Sequence, residues 1–262
     1  MYKKTIFIII LIFFFPKFLF SALLSIFSSS DNYLKQQKEK SIYLTLLEAP
    51  FGVVYDLKHP EKAFLITPDN TTIKVFLLRK NFFDKALNLE RIGYEIKFIP
   101  QKKGDYLLCI QSTPYLTKEQ RLIQDFAKAY FHVEQEKGWT NLCGFNLEII
   151  PYTRPYGLQV GDIFWGKVLY NNKALKKGII TLVYLNLDFI NWEDLPKDAQ
   201  GEINYPILKK KVRLSSKGEF VVNFNKSGWW AIYIEIPKGF KTYGNQQYPF
   251  FIRAILSLYI FP

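Results

Sequence analysis

Histidine is nearly absent from this chain: His59 and His132 are the only two in 262 residues, beside two cysteines and one methionine. That scarcity excludes most catalytic chemistry. A nucleophilic triad needs a histidine base beside its serine or cysteine, and the chain contains no GxSxG elbow, no HExxH and no CxxC. Selective transition-metal sites take three or four converging imidazole or thiolate ligands, more than this inventory readily supplies. Gly-rich phosphate loops and heptads are missing as well. His59 precedes Pro60 and reads as a surface turn residue. His132 alternates with Phe131 and Val133, so it is expected to point from a strand face to water or a neighbour. Glu193, Asp194, Asp198 and Glu202 share one loop, but their spacing matches no calcium loop and reads as a solvated acidic stretch. The chain is therefore expected to be no enzyme, with no catalytic and no cofactor-binding residue.

What is abundant is positive charge, β-branched and aromatic side chains, and one apolar start. Lys3 and Lys4 precede the uninterrupted run Thr5–Phe15, and after Pro16 and Lys17 the segment Phe18–Phe27 is apolar again apart from Ser21 and Ser25. Residues 1–30 read as a secretory signal peptide with small residues for cleavage at Ser28–Ser30, or as an uncleaved membrane anchor. In either case the remainder is expected outside the cytoplasm, periplasmic or held at the outer face of the inner membrane. The net charge is +12, of which the leader's three lysines leave +9 for the exported part. The basic residues are dispersed and no recognition helix appears, so nucleic acid is not expected as a partner. Cys109 and Cys143 are open to two readings, a disulfide or two buried small residues.

Beyond Asp31 the chain reads as β almost throughout. Strand candidates are Ile42–Leu47, Ala63–Thr67 with Thr71–Leu78 as its hairpin partner, Tyr94–Ile99 and Tyr106–Gln111. Phe126–Val133 fits strand or helix. The second half offers Ile163–Tyr170, Ile179–Leu187, Lys209–Leu214, Glu219–Phe224, Trp229–Ile236 and Ile252–Ile260, with loops at Asn191–Pro206 and Lys238–Gln247. Trp229 and Trp230 are expected to place one ring in the core and one half-covered. Pro151 and Pro155 stiffen the stretch between the halves by fixing φ. These signals predict an all-β chain of two β-sandwich domains, immunoglobulin-like or transthyretin-like, at 31–146 and 147–262, behind the 1–30 segment.

The stretch Leu147–Leu175, LEIIPYTRPYGLQVGDIFWGKVLYNNKAL, carries a specific likeness. It resembles the domain-of-unknown-function family of exported proteins often encoded with nickel/cobalt uptake transporters (NikK-like). The family's usual form is LEIVPLTRPYGL, a glycine, then F-x-G-x-V-L-x-x-G-K-P-L. Glu148, Pro151, Arg154, Pro155, Tyr156 and Gly157 fit that signature; so, in order along the chain, do Lys103-Gly104-Asp105-Tyr106, Asp125-Phe126-Ala127-Lys128, Gly138-Trp139 and Gly228-Trp229-Trp230. The resemblance implies a two-part exported β-protein, non-enzymatic, that helps deliver nickel or cobalt to an inner-membrane transporter. The signature residues, Trp229 included, are expected to be structural, with Arg154 pairing to Glu148 across the interdomain contact. Two departures stand out. Ala22-Leu23 follows the leader core where the family has Ala-His, and Ala49-Pro50-Phe51 stands where it has His-Pro-Phe. No residue here inherits the family's metal role, which leaves a second reading: an envelope structural or protein-interaction module without metal binding.

Overall fold

A computed structural model describes residues 22–49, 51–85, 87–185, 187 and 208–262 of the chain. The described chain is all-β, in three stacked sheets. The first sheet contains β1 (Leu23–Ser28), β2 (Lys40–Glu48), β3 (Val53–Tyr55), β6 (Leu78–Asp84) and β7 (Leu89–Phe98), in the order β1-β2-β7-β6 with β3 also on β2. The middle sheet takes β4 (Lys62–Ile66), β5 (Thr72–Lys74), β8 (Gly104–Gln111), β9 (Tyr115–Leu116) and β10 (Leu122–Val133) from the first half of the chain. From the second half it takes β12 (Leu158–Gln159), β15 (Ile179–Tyr184), β16 (Lys209–Arg213), β18 (Gly228–Tyr243) and β19 (Gln246–Phe261). Its order is β16-β15-β18-β19-β10-β8-β4-β5, with β12 on β19 and β9 on β10. The third sheet holds β11 (Leu147–Pro151), β13 (Ile163–Tyr170), β14 (Lys173–Ala174) and β17 (Glu219–Asn223).

The join between the halves is a parallel pair. β10 runs beside β19 from Leu122↔Phe250 to Ala129↔Ser257. Both expected halves thus contribute strands to one continuous sheet, and Leu147 opens β11, the edge strand of the third sheet. The middle sheet is covered on both faces, and side-chain alternation sends successive residues to opposite cores. Ile123, Ala127, Ala129, Phe131 and Val133 face the first sheet, whereas Phe126 and Tyr130 face the third. β10 is buried along its whole length. A strand covered on both faces loses the polar–apolar alternation, which is why FAKAYFHV reads equally as strand or helix in sequence.

Several expectations are corrected. The leader is expected from sequence to reach residue 30, yet Leu23–Ser28 is a buried strand paired from Leu23↔Leu47 to Ser28↔Ile42. A cut at Ser28–Ser30 would remove this strand from the sheet. The stiff connector is itself a strand, β11, with Pro151 at its end opposite Gly166. The Lys238–Gln247 loop is instead a continuation of the β18–β19 hairpin, carried past a bulge between Pro237 and Phe240 to Tyr243↔Gln246. The expected partner of Ala63–Thr67 pairs only over Thr72–Lys74 before the chain crosses to the first sheet. Both Trp229 and Trp230 are buried, each indole N–H donating to a carbonyl, Ser30 at 2.8 Å and Lys226 at 2.9 Å. Cys109 and Cys143 form a disulfide with Cα atoms 5.7 Å apart, tying β8 to the segment that leads into β11. The acidic group at Glu193, Asp194, Asp198 and Glu202 lies outside the described residues.

Candidate functional site

Antiparallel pairing of β8 with β10 places Asp105 opposite His132. Their side chains meet, His132 Nδ1 lying 2.7 Å from Asp105 Oδ1. The second carboxylate oxygen accepts the Lys137 amide N–H at 2.9 Å and the Tyr156 hydroxyl at 3.1 Å. The Tyr156 ring stacks on the imidazole, centroids 4.2 Å apart and planes 19° from parallel. Tyr33 closes the group edge-on, 5.1 Å from the His132 ring and 5.6 Å from Phe261. Asp105 is sealed from water. Burial raises its carboxyl above the ordinary range, while the hydrogen bond from His132 and the amide of Lys137 pull it back. Burial, and then the neighbouring Asp105 charge, push the Tyr156 phenol far up, so it remains a hydrogen-bond donor.

The signature residues hold this site together. Pro155 accepts a hydrogen bond from Asn32 Nδ2 at 3.3 Å, and Trp229 holds the Ser30 carbonyl from the other side. Asn32 and Leu34 exchange backbone hydrogen bonds with His132, so residues 30–34 are laid along the end of β10. Gly157 has φ +67°, and a Cβ there would come within 2.8 Å of the Tyr33 hydroxyl. Only a residue without a side chain satisfies both conditions at low cost. Glu148 does not meet Arg154. Its Oε1 takes the buried Lys128 ammonium at 2.7 Å, and its carboxylate accepts the Cys143 and Gly144 amides. Arg154 instead pairs with Glu136 at 3.1 Å, on the surface, while Trp139 donates to the same carboxylate. The reason is geometric: Glu148 points inward from β11, whereas Arg154 lies beyond the strand's end, in the turn.

Beside His132 lies an open trough of about 870 Å³, bordered by the chain from Ser30 to Lys40 and by Glu134. Past Tyr33 it adjoins a second depression of about 550 Å³ that includes Gly157, Gln159 and Phe261. With Nδ1 committed to Asp105, Nε2 is the ring nitrogen left to a ligand. Among the described residues no serine, threonine or cysteine side chain hydrogen-bonds to His132, and no three of His, Cys, Asp and Glu converge to hold a metal. The cysteines are consumed by their disulfide, and His59 packs on Tyr94, its Nδ1 beside the Pro60 carbonyl. This donor set does not fit a nickel or cobalt site built from protein ligands. Asp105 and Tyr33 are not singled out by their chemistry in sequence; Asp105 stands only within the matching KGDY motif.

A family model described as "Domain of unknown function (DUF4198)" matches residues 26–237. No curated protein matches the chain in sequence. Among solved structures, the Lin-41 filamin domain is 24% identical, with 34% of this chain and 80% of that one covered at a TM-score of 0.23. E. coli alpha-2-macroglobulin is 13% identical over 92% of this chain and 14% of that chain, with a TM-score of 0.25. PorU from Porphyromonas gingivalis is 8% identical over 91% of this chain and 20% of that one, with a TM-score of 0.24. This chain therefore spans only a small part of the latter two proteins.

Proposed function

The chain belongs to the DUF4198 family of domains of unknown function, and we propose that it is an exported, non-enzymatic binding module of the cell envelope. Its binding surface is the trough beside His132. One observation carries this reading: the consecutive residues Pro155, Tyr156 and Gly157, and the distant Trp229, all contact or flank the segment that walls the trough. Export is supported by the lysine-led apolar start and by the disulfide, which persists in oxidising compartments. In this reading any part in nickel or cobalt uptake is exerted by contact with an inner-membrane transporter, and the ion is not carried by this chain.

Two measurements test it. A photo-crosslinking residue at position 38, in the trough, is compared with one at position 177, outside it, in the full chain expressed with its own leader. Adducts to a protein identified by mass are expected from position 38 alone; adducts from both positions equally, or from neither, overturn the reading. Calorimetric titration of the purified protein with nickel and cobalt is expected to be flat. Saturable binding tighter than roughly 1 mM, about −4 kcal/mol, restores the metal-carrier reading instead.

A further inference from the structure

The trough is bordered by acids and bases in similar number, but they are not equally free. Asp31 lies 3.8 Å from the Lys40 ammonium and accepts the Tyr33 amide. Glu39 is paired to Lys97 at 3.5 Å and Glu134 to Lys103 at 2.8 Å. Lys35 and Lys38, joined by a tight turn in which the Lys38 amide donates to the Lys35 carbonyl, are exposed. Among the described residues their ammonium groups meet no acid. The unmatched charge at this surface is thus positive, within a chain whose net charge is already +12.

Shape narrows the occupant further. Small-molecule sites enclose most of their ligand, and this depression is open and continues past the Tyr33 ring toward Gln159 and Phe261. Such a surface suits one side of an extended chain. We propose that the trough receives an acidic, extended peptide segment of a partner protein, with Lys35 and Lys38 taking its carboxylates and Tyr33 giving it an aromatic wall. The proposal rests on the binding-module reading above and adds the chemistry of the partner. Charges of this exposed kind set association rate and salt dependence more than they set contact area.

The test uses the full-length processed protein and a fluorescein-labelled hexaglutamate peptide, read by anisotropy. Binding is expected at low ionic strength and should weaken steeply by about 0.15 M salt. The double variant K35E/K38E should bind roughly tenfold more weakly, whereas K176E/K177E, the same charge change at exposed lysines elsewhere, should leave affinity unchanged. Matching melting temperatures check that both variants fold. Equal losses in the two variants, or no binding of hexaglutamate at all, overturn the proposal. So does tighter, Lys35/Lys38-dependent binding of an oligogalacturonate, which assigns the surface to an acidic polysaccharide. If position 38 still crosslinks to a protein while hexaglutamate fails, the binding-module reading stands and only the acidic partner is lost. If both fail, both fall.

Discussion

Asp125 and Arg253 stand in register on the parallel strands β10 and β19, bound through Nε–Oδ1 at 2.8 Å and Nη2–Oδ2 at 2.9 Å in a site nearly closed to water. The pair also holds the beginning of the described chain. Leu24 donates its amide to Asp125 Oδ2 at 2.8 Å, and the Ala22 carbonyl accepts from Arg253 at 2.6 Å and from the Tyr115 hydroxyl at 2.9 Å. One buried ion pair thus joins the two halves of the chain and docks β1 onto them.

Removing one partner should be far worse than removing both. Arg253→Leu leaves an uncompensated carboxylate in the core, with an expected loss of about 3–5 kcal/mol in denaturant unfolding. The double variant Asp125→Leu/Arg253→Leu should recover part of that loss, because no charge is left buried. It should not restore β1, whose Leu24 amide loses its acceptor. Hydrogen exchange at Leu24 that stays as slow as in the wild type would contradict this account.

Gly157→Ala tests the wall of the trough. The substitution places a Cβ at φ +67°, which costs roughly 1 kcal/mol for a residue other than glycine. It also pushes on the Tyr33 hydroxyl. Stability should fall by on the order of 1–2 kcal/mol, and Tyr33 should become more accessible to a tyrosine-modifying reagent such as tetranitromethane. A variant as stable as wild type, with Tyr33 reactivity unchanged, would show that the close approach has no consequence.

The Cys109–Cys143 bond closes a loop of 34 residues in sequence separation. Loop-closure entropy of that length corresponds to roughly 3–4 kcal/mol. The double variant Cys109→Ala/Cys143→Ala should lose stability on that scale, and its first effect should appear in the segment that feeds Glu148 its amide donors. Proteolysis under native conditions that opens no new site near residue 143 would argue against the local part of the prediction.

Much of the strand content is legible from residues 42 to 260, because Val, Ile, Tyr and Phe recur between turn residues such as Asn171-Asn172, both at positive φ as a tight hairpin requires. The three-layer arrangement is not. Nothing local in Gln124 or Asp125 announces a parallel partner 128 residues away at Arg253. β1 is hidden because its apolar residues continue the apolar composition that begins at Thr5. The site shows the same division. Asp105 and Tyr156 lie in motifs that the family likeness sets apart and His132 in a stretch that fits strand or helix, but their meeting depends on the β8–β10 register and on the turn that follows β11. The proximity of Glu148 and Arg154 in sequence misleads as well: Glu148 lies within β11 and turns inward to Lys128, whereas Arg154 lies beyond the strand's end and meets Glu136 on the surface. Arg154→Ala should accordingly leave the melting temperature close to that of wild type, as expected of an exposed pair with Glu136.

The acid limb of the stability curve should report on Asp69. This carboxylate sits in the turn after β4, with Lys102 Nζ at 2.6 Å and Lys137 Nζ at 2.5 Å. The hydrogen bonds from Lys102 and then Lys137, reinforced by their charges, hold it down to about 2. A carboxyl whose folded value lies below its unfolded one, about 3.9 for aspartate, favours the folded state wherever it is ionised in both. Its contribution is present above the unfolded value and is lost as pH falls toward the folded value. The melting temperature of Asp69→Asn should therefore be lower than that of wild type near pH 5, about one unit above the unfolded value, and the gap should close as pH approaches about 2. Because the cluster is open to solvent, roughly 1 M salt should shrink the gap near pH 5 as well. A difference between the two proteins that stays constant from pH 5 to pH 2, or that widens in acid, would rule out the two lysines as the source of Asp69's contribution.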